Sequence, residues 1–297
     1  MIVNTGNLKT LGTGFSAAFN RGLGQAASQL GVIATTVPST TGQNEYGWLG
    51  KFPKMREWLG DRVINSISQS DYVIKNKDWE NTIEVDRNDI EDDNIGIYSP
   101  LFTEMGLATA AHPDELAWGL LKNGFATNCY DGQYFFDTDH PVLDENGVAY
   151  SVSNSGGGAG SPWFLIDDTR ALKPIIFQER KKAQFVAKDS PTDDNVFSRK
   201  KFAYGVDARY NVGFGFWQFA YGSKQALDAA AYKAARAAMM ALKGDYGRPL
   251  GIRPTLLIVA PANEEAALKI VNSEYAAGGE TNPWKGTAKV EVVPWLA

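Results

Sequence analysis

The stretch from residue 84 to residue 141 constrains the fold of this chain most, because it predicts one long helix between two strands. Its apolar side chains recur at helical spacing, at Leu101, Met105, Ala108, Leu116, Leu120 and Leu121. Ser99 can cap a helix, Pro100 suits the first helical position, and Gly124 is a typical stop. A helix is therefore predicted over about residues 98–123.

Pro113 lies inside this helical pattern and lacks the amide proton that a helix interior uses. We expect it to kink the helix or to split it at His112. In either case the helix runs along a structure and does not enclose a pocket. This arrangement favours a structural role.

The composition predicts a folded protein with a sizeable core and an acidic balance. The chain has 297 residues, a net charge of −5 and a pI of about 5.2, and 44% of its residues are hydrophobic. This length suggests two domains or one elaborate domain. Aromatic residues, at 12%, are typical of cores and of protein interfaces. The acidity argues against general nucleic-acid binding, although such a protein can surround nucleic acid without gripping it.

The cysteine count and the apolar runs bear on the compartment. Cys129 is the only cysteine, which excludes an intramolecular disulfide and favours a reducing compartment. The first residues lack a charged segment followed by an apolar run, so we expect no signal peptide. No apolar stretch is long enough to predict a membrane span.

Residues 1–36 contain a glycine-rich amphipathic segment. Its apolar residues are spaced as in a helix, which Asn4 or Thr5 could cap. Each glycine weakens a lone helix by about 1 kcal/mol, so the segment needs a partner surface. Two alternatives stay open: a helix docked on its own chain, or an arm packed on a neighbouring subunit.

Residues 37–85 predict a long β excursion. Apolar and polar side chains alternate there as in half-buried strands, at Val63, Asn65 and Ile67 and again at Tyr72, Ile74 and Asn76. A two-stranded ribbon without a core of its own is marginal in water. The excursion should therefore lie on another surface, for which a second copy of the chain is one candidate.

A glycine run at residues 156–160 predicts a flexible linker or loop and the clearest break in the chain. Three β stretches follow it, at residues 163–166, 174–186 and 197–221, with a polar turn at 190–195 between the last two. Glycines in the third stretch suggest bulges or a bend.

The hydrophobic period changes after Gln225. An Ala-rich segment that ends near Gly244 predicts a helix. Continuous apolar and amphipathic runs then predict a buried strand, a second helix and a last strand, at residues 255–260, 263–272 and 289–295. These elements predict a compact α/β end domain.

Cys129, Asp131, Asp137, Asp139 and His140 form the strongest candidate for a chemical site. An Asp-x-Asp-His run could hold a metal, and a cysteine near a histidine could be a nucleophile. However, Cys129 lies in a strand-like run, and the His-Pro pair is typical of a turn. The ligand set is also short of the usual number, so we assign no catalytic, cofactor-binding or metal residue.

The remaining chemical patterns are better explained by structure. His112 and Glu115 lack the second histidine of a zinc-protease motif, and the glycine run lacks the Lys-Ser/Thr of a phosphate loop. Acidic pairs lie in turns or first helical turns, where solvated acids are normal, at Asp92-Asp93, Asp193-Asp194 and Glu264-Glu265. The basic runs 180–182 and 199–201 predict a solvated or intersubunit face.

Eight long runs carry a family resemblance that covers nearly the whole chain. They are NEYGWLGKFPKMREWLGDRVIN (44–65), VDRNDIEDDNIGIYSPLF (85–102), AAHPDELAWGLLKNGF (110–125), CYDGQYFFDTDHPV (129–142), LKPIIFQERKK (172–182), YGVDARYNVGFGFWQ (204–218), GRPLGIRPTLLIV (247–259) and NPWKG (282–286). These runs resemble those of the major head subunits of phage Mu and Mu-like prophages. The resemblance implies an α+β major capsid protein of the Hong Kong 97 (HK97) type.

The resemblance also implies how the chain divides. The implied parts are an N-terminal arm at 1–36, an extended β-hairpin called the E-loop at 37–85, a peripheral domain at 86–223 with a spine helix at about 98–123 and long strands at about 163–222, and an α/β axial domain at 224–297. Many relatives place their long strands after the axial domain. The assignment of residues 141–223 departs from that order.

By the same resemblance the chain is a structural protein without cofactor, not an enzyme. It would form hexamers and pentamers of an icosahedral virion capsid around double-stranded DNA, assembled in the bacterial host cytoplasm. The implied partners are a separate scaffold protein, a maturation protease, a portal, decoration proteins and non-specifically held DNA, with no membrane. Two alternatives are an encapsulin-like compartment shell and, less favoured, a metal- or thiol-dependent enzyme built on Cys129, Asp137, Asp139 and His140.

Overall fold

A computed structural model describes residues 2–50, 72–276 and 278–297 of the chain. Its helices are α1 (Thr5–Gln25), α2 (Leu30–Ile33), α3 (Arg87–Glu91), α4 (Tyr98–Lys122), α5 (Asp194–Arg199), α6 (Ala229–Met240) and α7 (Glu264–Val271). Its strands are β1 (Ala34–Pro38), β2 (Gln43–Glu45), β3 (Val73–Lys75), β4 (Lys77–Asp86), β5 (His140–Leu143), β6 (Ala149–Val152), β7 (Ser155–Gly158), β8 (Trp163–Ile166), β9 (Ile175–Lys188), β10 (Lys201–Phe214), β11 (Ala220–Lys224), β12 (Lys243–Gly244), β13 (Arg248–Pro249), β14 (Leu256–Val259) and β15 (Lys289–Val292). The strand predicted at Val63–Ile67 lies outside the described residues.

The predicted long helix is α4, which begins at Tyr98, one residue before the expected cap. It continues through Pro113, so the split expected at His112 does not occur. A proline costs a helix interior about 3 kcal/mol. Buried packing on both sides of the proline, at Met105 and at Trp118, offsets that cost.

Helix α1 packs along the first half of α4. Asn4 caps it, because the Asn4 side chain accepts a hydrogen bond from the backbone N–H of Asn7 at 2.9 Å. The Phe15 ring stacks on Phe102 of α4 with ring centroids 4.3 Å apart. The helix therefore docks on its own chain, the first of the two alternatives for this segment.

The long strands form a four-stranded sheet in the order β1-β9-β10-β4. β10 pairs antiparallel with both of its neighbours, whereas β1 runs parallel to β9. The second half of the predicted β excursion is therefore β4, a strand of its own chain's sheet. The third predicted β stretch is shorter than expected, because α5 precedes β10 and a 3-10 turn at Trp217–Phe219 follows it.

A second, five-stranded sheet has the order β15-β14-β8-β11-β7. It includes β7, which pairs parallel with β11, so the first part of the glycine run predicted as a flexible linker or loop is a strand. Glycine is required there because a Cβ atom on Gly158 would overlap the backbone of Lys224. The sheet also joins β8 and β11 to β14 and β15, across the domain boundary predicted at residue 224.

The elements predicted after Gln225 are confirmed as α6, β14, α7 and β15, each within a few residues of its expected bounds. α6 begins at an Asp228 cap, whose carboxylate accepts from the N–H of Ala231 at 2.7 Å. β14 is buried along its whole length, as a continuous apolar run predicts.

Two apolar clusters hold the described residues together. The larger one surrounds the five-stranded sheet and includes the fully buried Trp163 and Leu257. The smaller one fills the space between α1, α4 and the four-stranded sheet, and Phe102 and Tyr204 lie at its centre. None of the described helices is both long enough and apolar enough to span a bilayer.

Candidate assembly surfaces and the His140 cluster

Three of the five residues predicted as a possible chemical site lie together. His140 begins β5 and is fully buried, and it does not lie in the expected turn. Its Nδ1 atom lies 2.7 Å from Oδ2 of Asp131. Cys129 lies in a loop and not in the strand-like run that the sequence indicates, and its Sγ atom donates to Oδ1 of Asp131 at 3.0 Å. We call Cys129, Asp131 and His140 the His140 cluster.

The His140 cluster has the geometry of hydrogen bonds. Ligand atoms around a tetrahedral zinc ion are more than about 3 Å apart, since each lies about 2.0–2.3 Å from the metal. The Nδ1–Oδ2 distance between His140 and Asp131, at 2.7 Å, is shorter than that. The other two predicted residues do not converge. Asp137 accepts from the backbone N–H groups of Tyr134 and Thr138, and Asp139 is exposed.

The electrostatics of the His140 cluster do not favour a reactive thiol. Burial raises the pKa of the Cys129 thiol strongly, and the Asp131 charge raises it further, so the sulfur stays protonated. Burial also acts to raise the pKa of Asp131. Hydrogen bonds from His140 and Cys129 outweigh that effect and hold the pKa of Asp131 below its ordinary value.

His112 and Glu115 of α4 have a structural environment. The His112 Nδ1 atom lies 2.8 Å from the Tyr210 hydroxyl oxygen. The rings of His112 and Trp79 form a T-shaped contact with centroids 4.4 Å apart, and burial lowers the pKa of His112. This histidine therefore ties α4 to β4 and β10.

The β excursion begins from a base that is anchored in its own chain. β2 and β3 pair antiparallel, and Ile74 of β3 is buried. The Tyr46 hydroxyl donates to Oε1 of the buried Gln178 at 2.8 Å, and the Gln178 amide donates to the Ile74 carbonyl at 3.0 Å. The segments that carry Tyr46 and Ile74 are thus both fixed to β9 through Gln178.

The end of the β9–β10 hairpin carries the most exposed large apolar side chain among the described residues. Phe197 of α5 is 88% exposed, while the preceding Val196 is buried in the smaller apolar cluster. The helix that carries Phe197 is held by Asn195, whose side-chain amide donates to the backbone carbonyl of Lys201 at 2.7 Å. The exposed Phe197 ring therefore lies on a helix whose position is fixed by its neighbours.

The two basic runs lie on the four-stranded sheet and near its end, and several of their charges are paired. Lys181 forms an ion pair with Asp207. Glu84 of β4 pairs with Lys201 at 2.8 Å and with Arg199 at 3.8 Å. These internal partners reduce the net positive charge that the face offers to nucleic acid.

Two residues that contact His140 were not identified from the sequence. The Asn154 side chain contacts the ring of His140, and Trp217 stacks on it with centroids 3.9 Å apart and planes 10° apart. Neither residue lies near a catalytic or metal-binding motif. The only sequence signal is that Asn154 directly precedes the glycine strand.

Comparison with known proteins gives consistent matches. The family described as "Mu-like prophage major head subunit gpT" matches residues 8–296. The chain is 47% identical to a Mu-like prophage FluMu major head subunit of Haemophilus influenzae, over 91% of this chain and 90% of that protein. It is 43% identical to the major capsid protein of Escherichia phage Mu, over 100% of both chains.

Solved structures of phage shells are similar as well. A chain from the procapsid of bacteriophage JBD30 superposes with a TM-score of 0.86 and 45% identity, covering 99% of this chain and 100% of that chain. A chain from the JBD30 capsid decorated with minor capsid protein trimers gives a TM-score of 0.77 and 36% identity, with 93% of each chain covered.

Proposed function

The chain belongs to the family of Mu-like prophage major head subunits, and from this membership we propose how its parts build a phage head. It is a major capsid protein of a Mu-like phage, with an α+β fold of HK97 type. It is a structural protein of the virion capsid and not an enzyme, and it assembles into shells of itself.

The proposed shell is icosahedral, is built from hexamers and pentamers of this chain, and encloses double-stranded DNA. Of residues 37–85, the part between β2 and β3 would act as the E-loop and cover a neighbouring subunit, because β1 and β4 belong to the chain's own sheet. The anchored base of the excursion supports this role, because Tyr46 and Gln178 fix the point from which it leaves the body. A ribbon that finds its missing apolar surface on a neighbour gains stability only in the assembly.

We propose a different division between peripheral and axial parts from the one that the sequence indicates. The four-stranded sheet, α1 and α4 share the smaller apolar cluster and would form the peripheral domain. The five-stranded sheet draws on strands from Ser155 to Val292 and would form the axial domain together with α6 and α7. The axial domain would therefore include β7, β8 and β11, which lie before residue 225.

The proposed partners follow from the family and from the charge of the chain. A scaffold protein, a maturation protease, a portal and decoration proteins would act during assembly in the host cytoplasm. Trimers of a minor capsid protein decorate the related JBD30 capsid, which supports a decoration partner. With a net charge of −5, the chain would line packaged DNA with few phosphate contacts.

The two alternative functions are not favoured. An encapsulin-like compartment shell is disfavoured by 43–47% identity to phage head proteins over nearly the whole chain. A metal- or thiol-dependent enzyme is disfavoured by the same relatives and by the hydrogen-bonded geometry of the His140 cluster.

The family match over residues 8–296 carries this proposal, and an assembly experiment tests it. The chain would be expressed alone and with the scaffold protein of the same phage, then separated by size and imaged by negative-stain electron microscopy. We expect closed shells or capsomers of five and six subunits. A strictly monomeric chain under both conditions would contradict the proposal, and shells without nuclease-protected DNA in native particles would favour the compartment alternative.

A further inference from the structure

The orientation of the buried Asn154 side chain is fixed by its neighbours. Its amide nitrogen faces three backbone carbonyl oxygens, those of Phe135 at 2.8 Å, Ala220 at 3.2 Å and Trp217 at 3.3 Å. Its oxygen faces the backbone N–H of Asp137 at 2.9 Å. A flipped amide would set oxygen against three oxygens and nitrogen against an N–H group, so only one orientation is satisfied.

This orientation determines the state of one ring nitrogen of His140. The Nε2 atom lies 3.2 Å from the Asn154 oxygen, which can only accept. Nε2 must therefore carry a proton. An unprotonated Nε2 would place two lone pairs against each other in a site with no access to water, since His140 is 0% exposed.

The other ring nitrogen also faces an acceptor. Nδ1 lies 2.7 Å from Oδ2 of Asp131, whose Oδ1 already accepts from Cys129 at 3.0 Å and from the backbone N–H of Gln133 at 3.1 Å. Two donors on one oxygen are typical of an ionised carboxylate. A carboxylate at 2.7 Å requires a proton on Nδ1 as well.

The remaining surroundings also stabilise a positive ring. The face of Trp217 stacks on His140 at 3.9 Å, and an indole face attracts a cation. The titratable groups that interact with the ring are the carboxylates of Asp131 and Asp139, and the thiol of Cys129 lies beside it. The two carboxylates favour a positive ring, and the thiol is neutral.

We propose that His140 is a buried imidazolium in the folded chain, paired with Asp131 and locked by Asn154. The pair ties the loop that carries Cys129 and Asp131 to β5, and Asn154 ties both to the turn before β11. A neutral ring would leave either Asp131 or Asn154 without its donor. The inference does not depend on the proposed subunit contacts.

Nitrogen-15 NMR of histidine-labelled protein tests this assignment, because the chain has only 2 histidines. In the full-length His112→Gln variant near neutral pH, we expect one histidine whose two ring nitrogens each correlate with an attached proton. A ring nitrogen without a proton in that variant would overturn the proposal. If His112→Gln does not fold, the wild-type spectrum decides, because two neutral rings there would overturn it equally.

The Asp131→Asn variant identifies the counter-ion. Without the carboxylate charge, we expect His140 to lose one ring proton, so that one nitrogen shifts to the unprotonated range. The matched variant Asp139→Asn removes an exposed carboxylate near the same ring and should leave both protons in place. A His140 that stays doubly protonated in Asp131→Asn would overturn the pairing with Asp131.

Discussion

Gly22 of α1 and Gly106 of α4 lie against each other where the two helices touch. A Cβ atom on Gly22 would overlap the carbonyl oxygen of Thr103, and one on Gly106 would overlap the carbonyl oxygen of Phe19. The backbones of the two helices therefore approach more closely than any side chain at these positions would permit. This approach brings Phe15 and Phe102 into the stacked contact that begins the smaller apolar cluster.

We expect Gly22→Ala and Gly106→Ala to destabilise the subunit. Each added methyl group must push backbone atoms apart, and overpacking of this kind costs about 1–3 kcal/mol. Chemical denaturation of the unassembled subunit measures the change in the free energy of unfolding.

Matched controls lie on the same two helices. Nothing lies within 4 Å of a Cβ atom on Gly14 of α1 or on Gly119 of α4. Alanine at these positions should stabilise the subunit by up to about 1 kcal/mol through helix propensity. Equal changes in the free energy of unfolding for Gly22→Ala and Gly14→Ala would contradict the close approach of α1 and α4.

Phe197 is expected to act in assembly and not in folding. The Phe197 side chain is 88% exposed, so Phe197→Ser should change the unfolding free energy by less than about 0.5 kcal/mol. If the ring anchors a contact with a second copy, its loss should weaken that contact at least about tenfold, or by about 1.4 kcal/mol, and the yield of shells should fall. Shell yield is measured by size separation and electron microscopy.

Two further variants separate assembly from folding at this hairpin. Phe197→Leu keeps an apolar anchor and should retain most assembly. Val196→Ser alters the adjacent buried residue and should lower subunit stability by about 1–3 kcal/mol. Normal shell formation by Phe197→Ser would exclude Phe197 as an anchor.

Elements with a local sequence period were predictable from the sequence. The spacing of Leu101, Met105 and Leu121 indicated α4, and the apolar run at Leu256–Val259 indicated β14. Each pattern follows from burial of one helical face or of a whole strand, and both are visible in a short window. The family resemblance then placed these elements in a capsid fold.

Features that depend on distant partners could not be predicted in this way. The sequence of β7 is typical of a linker because glycines have no side chains to alternate, and its strand character comes from pairing with β11.

The surroundings of His140 were predictable only in part. Asp131 and His140 are near in sequence, but Asn154 and Trp217 reach the ring only through the fold. The proton proposed on Nε2 of His140 depends on Asn154, the first of these two distant residues.

The acid side of the stability profile should depend on Asp131. Its folded pKa lies below the ordinary value of 3.8, so the carboxylate contributes stability above that pH and loses the contribution as pH falls through the folded pKa. Asp131→Asn should cost about 1–3 kcal/mol at neutral pH, because the contacts of His140, Cys129 and the Gln133 N–H with a charged carboxylate are weakened. The difference between wild type and variant should shrink below about pH 4.

Denaturant titrations of both proteins at a series of acidic pH values measure this difference. Asp139→Asn is the matched control, since Asp139 is exposed and adjacent to the same histidine. The control should follow the wild-type profile at neutral pH within about 0.5 kcal/mol. A constant gap between wild type and Asp131→Asn down to acid unfolding would contradict the prediction.

The alkaline side of the profile should depend on buried tyrosines, among them Tyr72. Burial raises the pKa of Tyr72 from 10.0 to about 12, although the Phe214 N–H, which donates to its oxygen at 2.7 Å, acts to lower it. The neutral phenol is thus favoured in the folded chain. Its contribution to stability is complete below pH 10.0 and is lost as pH rises toward about 12.

We expect Tyr72→Phe to cost about 1 kcal/mol near neutral pH, since the Phe214 N–H loses its acceptor. Near pH 11 Tyr72 ionises in the unfolded wild-type chain but not in the folded one, which lowers the free energy of unfolding by about 1.4 kcal/mol. The variant has no hydroxyl to ionise at this position, so the two stabilities should converge. Urea titrations at both pH values measure the convergence. Tyr275→Phe, at a side chain that is 63% exposed, should keep the wild-type pH dependence. If Tyr72→Phe loses as much stability as the wild type between the two pH values, Tyr72 is not a source of the alkaline sensitivity.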